Sequence, residues 1–199
     1  MNKLHAVVIA AMSLAPLPGF AAGANITGTV GFRQLDADQW SPTETEAMFG
    51  VLADFSFWEA PLHIELGLRG SGDSGNRNGD RLKQSVGDFS AGIAVIPDYG
   101  YMRPYVSFGL AAVEVENKLN GNSESDSSAG WYVGGGVLWR MAPNFDVGVD
   151  ARYLGGTSVF NGFDVDSYTI AARVGWGWDL HRRRYEDEAP PPRRHPRRY

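Results

Sequence analysis

The residues "NFDVGVDARYLGG", 144–156, alternate without a break: Phe145, Val147, Val149, Ala151 and Tyr153 take one parity, and Asp146, Asp150 and Arg152 the other. Successive side chains of a strand point to opposite faces, so this segment has one oily face and one charged face. On a helix the five apolar residues would instead spread around the circumference, with Asp146 and Asp150 among them. The two-residue period recurs from Asn25 onward in runs of roughly ten residues or more, and no segment reads better as a helix. The chain is expected to be all-β, and its function turns on which face of each strand points inward.

The pattern predicts strands near 25–35, 46–58, 61–71, 85–97, 101–116, 130–141, 144–156 and 166–180. The connections after the second, fourth and sixth are short and turn-like: "WEAP", "PDYG" and "MAPN". Those after the odd strands are longer and polar, as in "GDSGNRNGDRLKQ" and "NKLNGNSESDSSAG". All long connections therefore fall at one end of an antiparallel meander, a layout shared by outer-membrane barrels and by some soluble ones.

Aromatic placement separates the two. In the sixth segment Trp131 and Trp139 flank Val133, Gly135 and Val137 on one parity; in the eighth Tyr168 stands at one end and Trp176 and Trp178 at the other. Tyr153 likewise ends the apolar series of the seventh. Trp131 and Trp139 are eight residues apart, roughly 26 Å along a strand and about 20 Å along the normal of a tilted barrel, near the height of an aromatic-girdled lipid band. A water-soluble core has no reason to send its rings to the ends. The apolar face is thus expected to meet lipid, giving an eight-stranded antiparallel up-and-down transmembrane β-barrel. Its other face would line a lumen in which Arg33, Arg69, Arg103, Arg140, Arg152 and Arg173 match Asp54, Glu65, Asp88, Asp146, Asp150 and Asp179. Interleaved guanidinium and carboxylate groups can satisfy one another, and eight strands enclose just enough room for side chains to fill, so the lumen is expected to be plugged.

The first residues follow the layout of a secretory signal: Lys3, then "AVVIAAMSLA", then small residues that allow cleavage after position 21, 22 or 24. The expected organisation is a signal over 1–22, a barrel over 23–180 and an Arg/Pro-rich periplasmic tail over 181–199. There is no cysteine, which removes disulfides and thiolate metal sites. The tail holds seven Arg against Glu186, Asp187 and Glu188, a balance of +4. With that tail and Lys3 set aside, the formal total of -5 becomes -10, which argues against nucleic acid as a partner of the barrel. The tail is too polar and Pro-rich to pack; its arginines suit the cell wall, an anionic surface or an acidic partner, or simply solvate it.

At "RPYVSFGLAAVEVE", 103–116, and "GWYVGGGVLWRMAPNFDVGVDARYLGG", 130–156, the chain resembles the small outer-membrane β-barrel family of the OmpA transmembrane domain, OmpX and the Ail-type proteins. The resemblance lies in an Arg-Pro-Tyr-Val opening to a Gly-rich strand, and a Gly-rich hairpin turning at "RMAPN" into an alternating strand that ends in Tyr. It implies residence in the cell outer membrane, contact with outer-membrane lipid and lipopolysaccharide, and insertion by the barrel assembly machinery. It specifies architecture more than activity. One departure is that "GWGWDL" is followed by further residues, whereas members of one domain usually finish at an aromatic of the last strand.

Motifs that suggest chemistry fare poorly. "GSGDSG", Gly70–Gly75, matches a dinucleotide fingerprint, but no helix follows to receive a phosphate, and a plain loop explains it. Its Gly-Asp-Ser-Gly would need a histidine base for Ser74, yet His63 is placed at the opposite end of the barrel and His5, His181 and His195 lie outside it. No enzyme activity, cofactor or resident metal is expected. Asp36, Asp38, Glu44, Glu46, Glu124, Asp126, Asp164 and Asp166 could meet divalent cations that bridge lipopolysaccharide, but solubility of exposed loops accounts for them. The leading expectation is a structural barrel supporting envelope integrity; the alternatives are an adhesin or immune-evasion factor acting through its long loops, and a narrow channel.

Overall fold

In the computed structural model, the structure describes residues 23–35, 45–56, 61–77, 80–97, 100–119, 122–159 and 162–179. The expected signal, the Arg/Pro tail, and Asp36, Asp38 and Glu44 lie outside these. The strands are β1 (Gly23–Leu35), β2 (Thr45–Ser56), β3 (Leu62–Arg77), β4 (Asp80–Val95), β5 (Met102–Leu119), β6 (Asn122–Ala142), β7 (Phe145–Gly155), the two-residue β8 (Ser158–Val159) and β9 (Phe163–Asp164), and β10 (Ser167–Asp179). Eight of them close in the order β1-β10-β7-β6-β5-β4-β3-β2, every pair antiparallel. β8 and β9 form a small separate hairpin in the last long connection.

The ladder fixes the tilt. Cross-strand partners lead from Asn25 to Asp54, Glu65, Gly92, Gly109, Tyr132, Leu154 and Ser167, and return to β1 at Leu35. One circuit therefore climbs ten residues, from position 25 to position 35. A climb of about 33 Å against a circuit of about 38 Å tilts the strands by about 40°. At that tilt Trp131, Tyr153, Tyr168 and Phe32 fall at one level near the long-connection end, and Trp139, Phe145 and Trp176 fall about 20 Å below, near the short turns. Between the rings the outer wall exposes Val30, Val51, Leu68, Phe108, Leu110, Val133, Val149, Ile170 and Val174. Trp131 packs edge-on against Tyr153 at 5.4 Å between centroids, and Tyr153 against Tyr168 at 4.8 Å, so the upper ring is continuous across β6, β7 and β10.

The polarity rule reverses part-way up the wall. On β5 Val106, Phe108 and Leu110 face outward, yet the same parity continues as Glu114 and Glu116 while the inward parity becomes Val113 and Val115. The 21 residues of β6 rise about 50 Å, twice the height of a ~25 Å apolar band. Strand β6 leaves lipid for water near Trp131, and above that point the usual oily-inside arrangement returns.

This reversal explains where the sequence reading erred. "GDSGNRNGDRLKQ" and "NKLNGNSESDSSAG" are not loops: β3 runs on to Arg77, β4 begins at Asp80, β5 reaches Leu119 and β6 begins at Asn122. With water outside, the alternation there loses its apolar outer face and reads as loop, although the hydrogen-bonded ladder continues unbroken from the barrel. Gly70–Gly75 is accordingly part of β3, and a strand, β4, follows it. The lumen is likewise not polar throughout. Leu35, Val86, Val113, Val115, Leu154, Val159 and Val165 form an apolar ceiling, and Ala94, Ile96, Tyr105 and Leu138 an apolar floor.

Val149 stands half exposed close to mid-height of the band. Val149→Arg is expected to cost about 2–4 kcal/mol in bilayer-reconstituted unfolding, with near-neutral cost for Ser127→Arg above the upper ring. Equal costs at the two positions would show that the outer wall at Val149 is not in lipid.

Candidate functional site: the barrel interior

Between floor and ceiling the interior is charged. Arg173 lies 3.4 Å from Asp54 and 3.6 Å from Asp150, and Arg69 lies 2.9 Å from Asp150. The Tyr105 hydroxyl also donates to Asp150, making this carboxylate the hub of the lower tier. Arg152 reaches Glu65 at 2.5 Å, and the Tyr132 hydroxyl donates to the same oxygen at 3.1 Å. Higher up, Arg33 pairs with Asp88 and donates to Ser71, whose hydroxyl donates to Glu46 at 2.5 Å. At the short-turn mouth Asp146 holds Arg103 at 3.3 Å and Arg140 at 3.7 Å. The structure thus brings together Arg33, Asp54, Glu65, Arg69, Asp88, Arg103, Arg140, Asp146, Asp150, Arg152 and Arg173; the Asp179 side chain lies outside the described residues.

Two tyrosines are braces for this network, and glycines make room for them. Tyr132 crosses Gly109 and Gly92 on the neighbouring strands: a Cβ at Gly109 would stand 2.8 Å from its ring, and one at Gly92 would stand 2.5 Å from its hydroxyl. Tyr105 lies over Gly136 in the same way. The Arg152 guanidinium stacks 4.0 Å above the Tyr132 ring, and that of Arg173 4.8 Å above Tyr105. Each ring therefore supplies a cation–π face and a hydroxyl donor to one ion pair.

The sequence reading missed Glu46, which it placed among exposed loop acids. Glu46 is fully buried and faces inward, because it shares the parity of Met48, Leu52 and Asp54 along β2. With Glu46, the described interior holds six Arg and six carboxylates. Asp166, also assigned to solvent, is half buried: it accepts from the Thr157 amide at 3.0 Å, the Thr157 hydroxyl at 3.2 Å and the Tyr153 hydroxyl at 3.2 Å. That clasp seats Val159 and Val165 on the ceiling, with Gly156 supplying the positive φ of 74° at the bend. His63 sits near the floor, at the opposite end of the lumen from the extended part of β3.

The model of the outer membrane protein beta-barrel domain family matches residues 4–177. The chain belongs to this family. Its barrel is similar to those of Ail, the attachment invasion locus protein of Yersinia pestis (15% identity, 79% of this chain and 99% of that one, TM-score 0.60), Neisserial surface protein A (16%, 77% and 95%, 0.59) and the outer membrane protein OprG of Pseudomonas aeruginosa (14%, 80% and 97%, 0.56). No curated protein sequence matches it. At these identities the shared property is the fold, and with the family it places the chain in the cell outer membrane, lipid against its aromatic-girdled wall.

Asp150→Ala would leave the buried Arg69 and Arg173 without this shared carboxylate, a loss of about 3–5 kcal/mol. Arg103→Ala at the partly hydrated mouth is expected to cost less than about 1 kcal/mol. Urea unfolding of the two variants in lipid checks the ranking, and equal losses would remove the hub role of Asp150.

Proposed function

We propose that the chain is a structural outer-membrane barrel that supports envelope integrity and passes no solute through its lumen. What supports this reading is the layering of the interior among the described residues: an apolar floor, interlocked ion pairs and an apolar ceiling clasped by Asp166. Within the charged tier a cavity of about 10 Å3 remains, enough for roughly one water. A hydrated ion would have to part several buried pairs at once. In this reading the short turns face the periplasm and the tall hairpins the exterior, the usual orientation of such barrels.

A second reading, surface binding, is favoured by the sheet that β3, β4, β5 and β6 raise above the other strands. Pairing of β6 with β7 stops at Trp131, so residues 122–130 have no ladder partner on that side among the described residues, and the β8 segment reaches this edge through the Ser158 amide, which donates to the Ser128 hydroxyl at 3.1 Å. Such an edge can accept an extended segment of another protein. Ail has been crystallised with the heparin analogue sucrose octasulfate. The β5–β6 hairpin here carries Glu114, Glu116, Glu124 and Asp126 against one lysine, Lys118, which favours a cationic partner over a sulfated glycan.

Replacing residues 117–124 by an Asn-Gly turn would trim the raised hairpin and leave the Glu116–Ser125 pair to close it. The structural reading expects full complementation of a deletion strain in resistance to detergent and bile salts by the trimmed protein, and no conductance from either form in planar bilayers. Lost cell or matrix binding with normal resistance would favour the adhesive reading, and steady conductance steps would overturn the closed lumen.

A further inference from the structure

The small cavity in the charged tier is surrounded unevenly. Arg33, Arg69 and Arg152 line it, with Asp88 as the one carboxylate and Ser90 and Tyr132 among the neutral walls, and each of the three arginines is held by one carboxylate, Asp88, Asp150 and Glu65 in turn. The carboxylates that pair with Arg69 and Arg152 lie on the far side. Glu65 comes four residues before Arg69 on β3 and Asp150 two before Arg152 on β7, both toward the short-turn end. The two guanidinium groups reach down to them through their Nη2 atoms. The side chains of Arg33, Arg69 and Arg152 are at most 4% exposed, yet Arg69 Nε and Nη1, Arg33 Nε and Arg152 Nε have no acceptor in the protein.

A guanidinium N–H buried without an acceptor is costly, and four of them belong to the groups around this one cavity. A water placed there must donate two hydrogens of its own, and the wall offers Asp88 and hydroxyls to receive them. A monatomic anion accepts on every side and can take the N–H groups that the three ion pairs leave without an acceptor. We propose that the cavity binds a small monovalent anion of the halide class, held by Arg33, Arg69 and Arg152. Such an anion is slightly wider than water, and the long arginine side chains can give by the small distance required. The site rests on the interior geometry and holds whether the barrel is structural or adhesive.

The test uses the full chain refolded into nanodiscs, with thermal unfolding followed by the gel-mobility change. At constant ionic strength and pH, replacing sulfate by chloride or bromide is expected to raise the midpoint by several degrees and to saturate with halide concentration, as ligation of the native state requires. Crystals grown in bromide are expected to show an anomalous peak in contact with Arg69 and Arg152. Arg69→Gln, which keeps a hydrogen-bond donor and removes the charge, is expected to abolish the halide increment. Should that variant fail to fold, the bromide experiment on the unaltered chain still decides. Equal midpoints in all salts, a non-saturating salt effect, or a bromide peak without any shift in solution would each overturn the proposal, the last as binding at crystal concentration only.

Discussion

In hydrocarbon a strand has no water to satisfy its amides, so every backbone hydrogen bond must be made within the protein. That constraint closes this sheet, and closure with a ten-residue climb sets the tilt of every strand. The tilt then decides which side chains share a level. It brings Arg69 of β3 beside Asp150 of β7 and Glu65 of β3 beside Arg152 of β7, and it joins rings on β6, β7 and β10 into one belt. Neither the ion-pair tier nor the girdle is local to any strand; both come from the register.

The interior shows how charges can be carried inside a narrow lumen at tolerable electrostatic cost. Charges withdrawn from water are stabilising only when paired and hydrogen-bonded, and the closest arrangement here shares partners: Asp150 serves Arg69, Arg173 and Tyr105, and Glu65 serves Arg152 and Tyr132. Sharing needs long side chains to cross the lumen, and the glycines at 92, 109 and 136 let the tyrosine braces lie flat enough to leave them space. Apolar layers lie above and below these pairs.

Much of this was legible in the sequence, for a physical reason. In segments such as 144–156, lipid on one side and a charged interior on the other force opposite chemistries onto alternate residues, so strand existence, the outward face and the family resemblance could all be read directly. Where the outer solvent changes, legibility fails. The ends of β3 to β6 are polar outside and read as loop. Glu46 opens the expected strand 46–58 on the same parity as Asp54, but at a strand end beside a polar connection an acid reads equally well as part of the loop. Tyr105 and Tyr132 sit on the inward parity in sequence as well, but their hydroxyl partners are 45 and 67 positions away and become visible only through the register. The clasp at Asp166 was hidden for the opposite reason, since β8 and β9 are too short to show any period.

The switch of polarity along β5 has a consequence beyond where the strand lies. Sliding the barrel outward by one pair of residues, about 5 Å along the normal, would lift Leu110 toward water, and sliding it inward would draw Glu114 toward acyl chains. Either displacement is opposed, and the aromatic rings oppose it again at both boundaries. The strand is in effect a depth gauge written into the chain: it states the thickness of the membrane the protein is built for, and it resists a bilayer of any other.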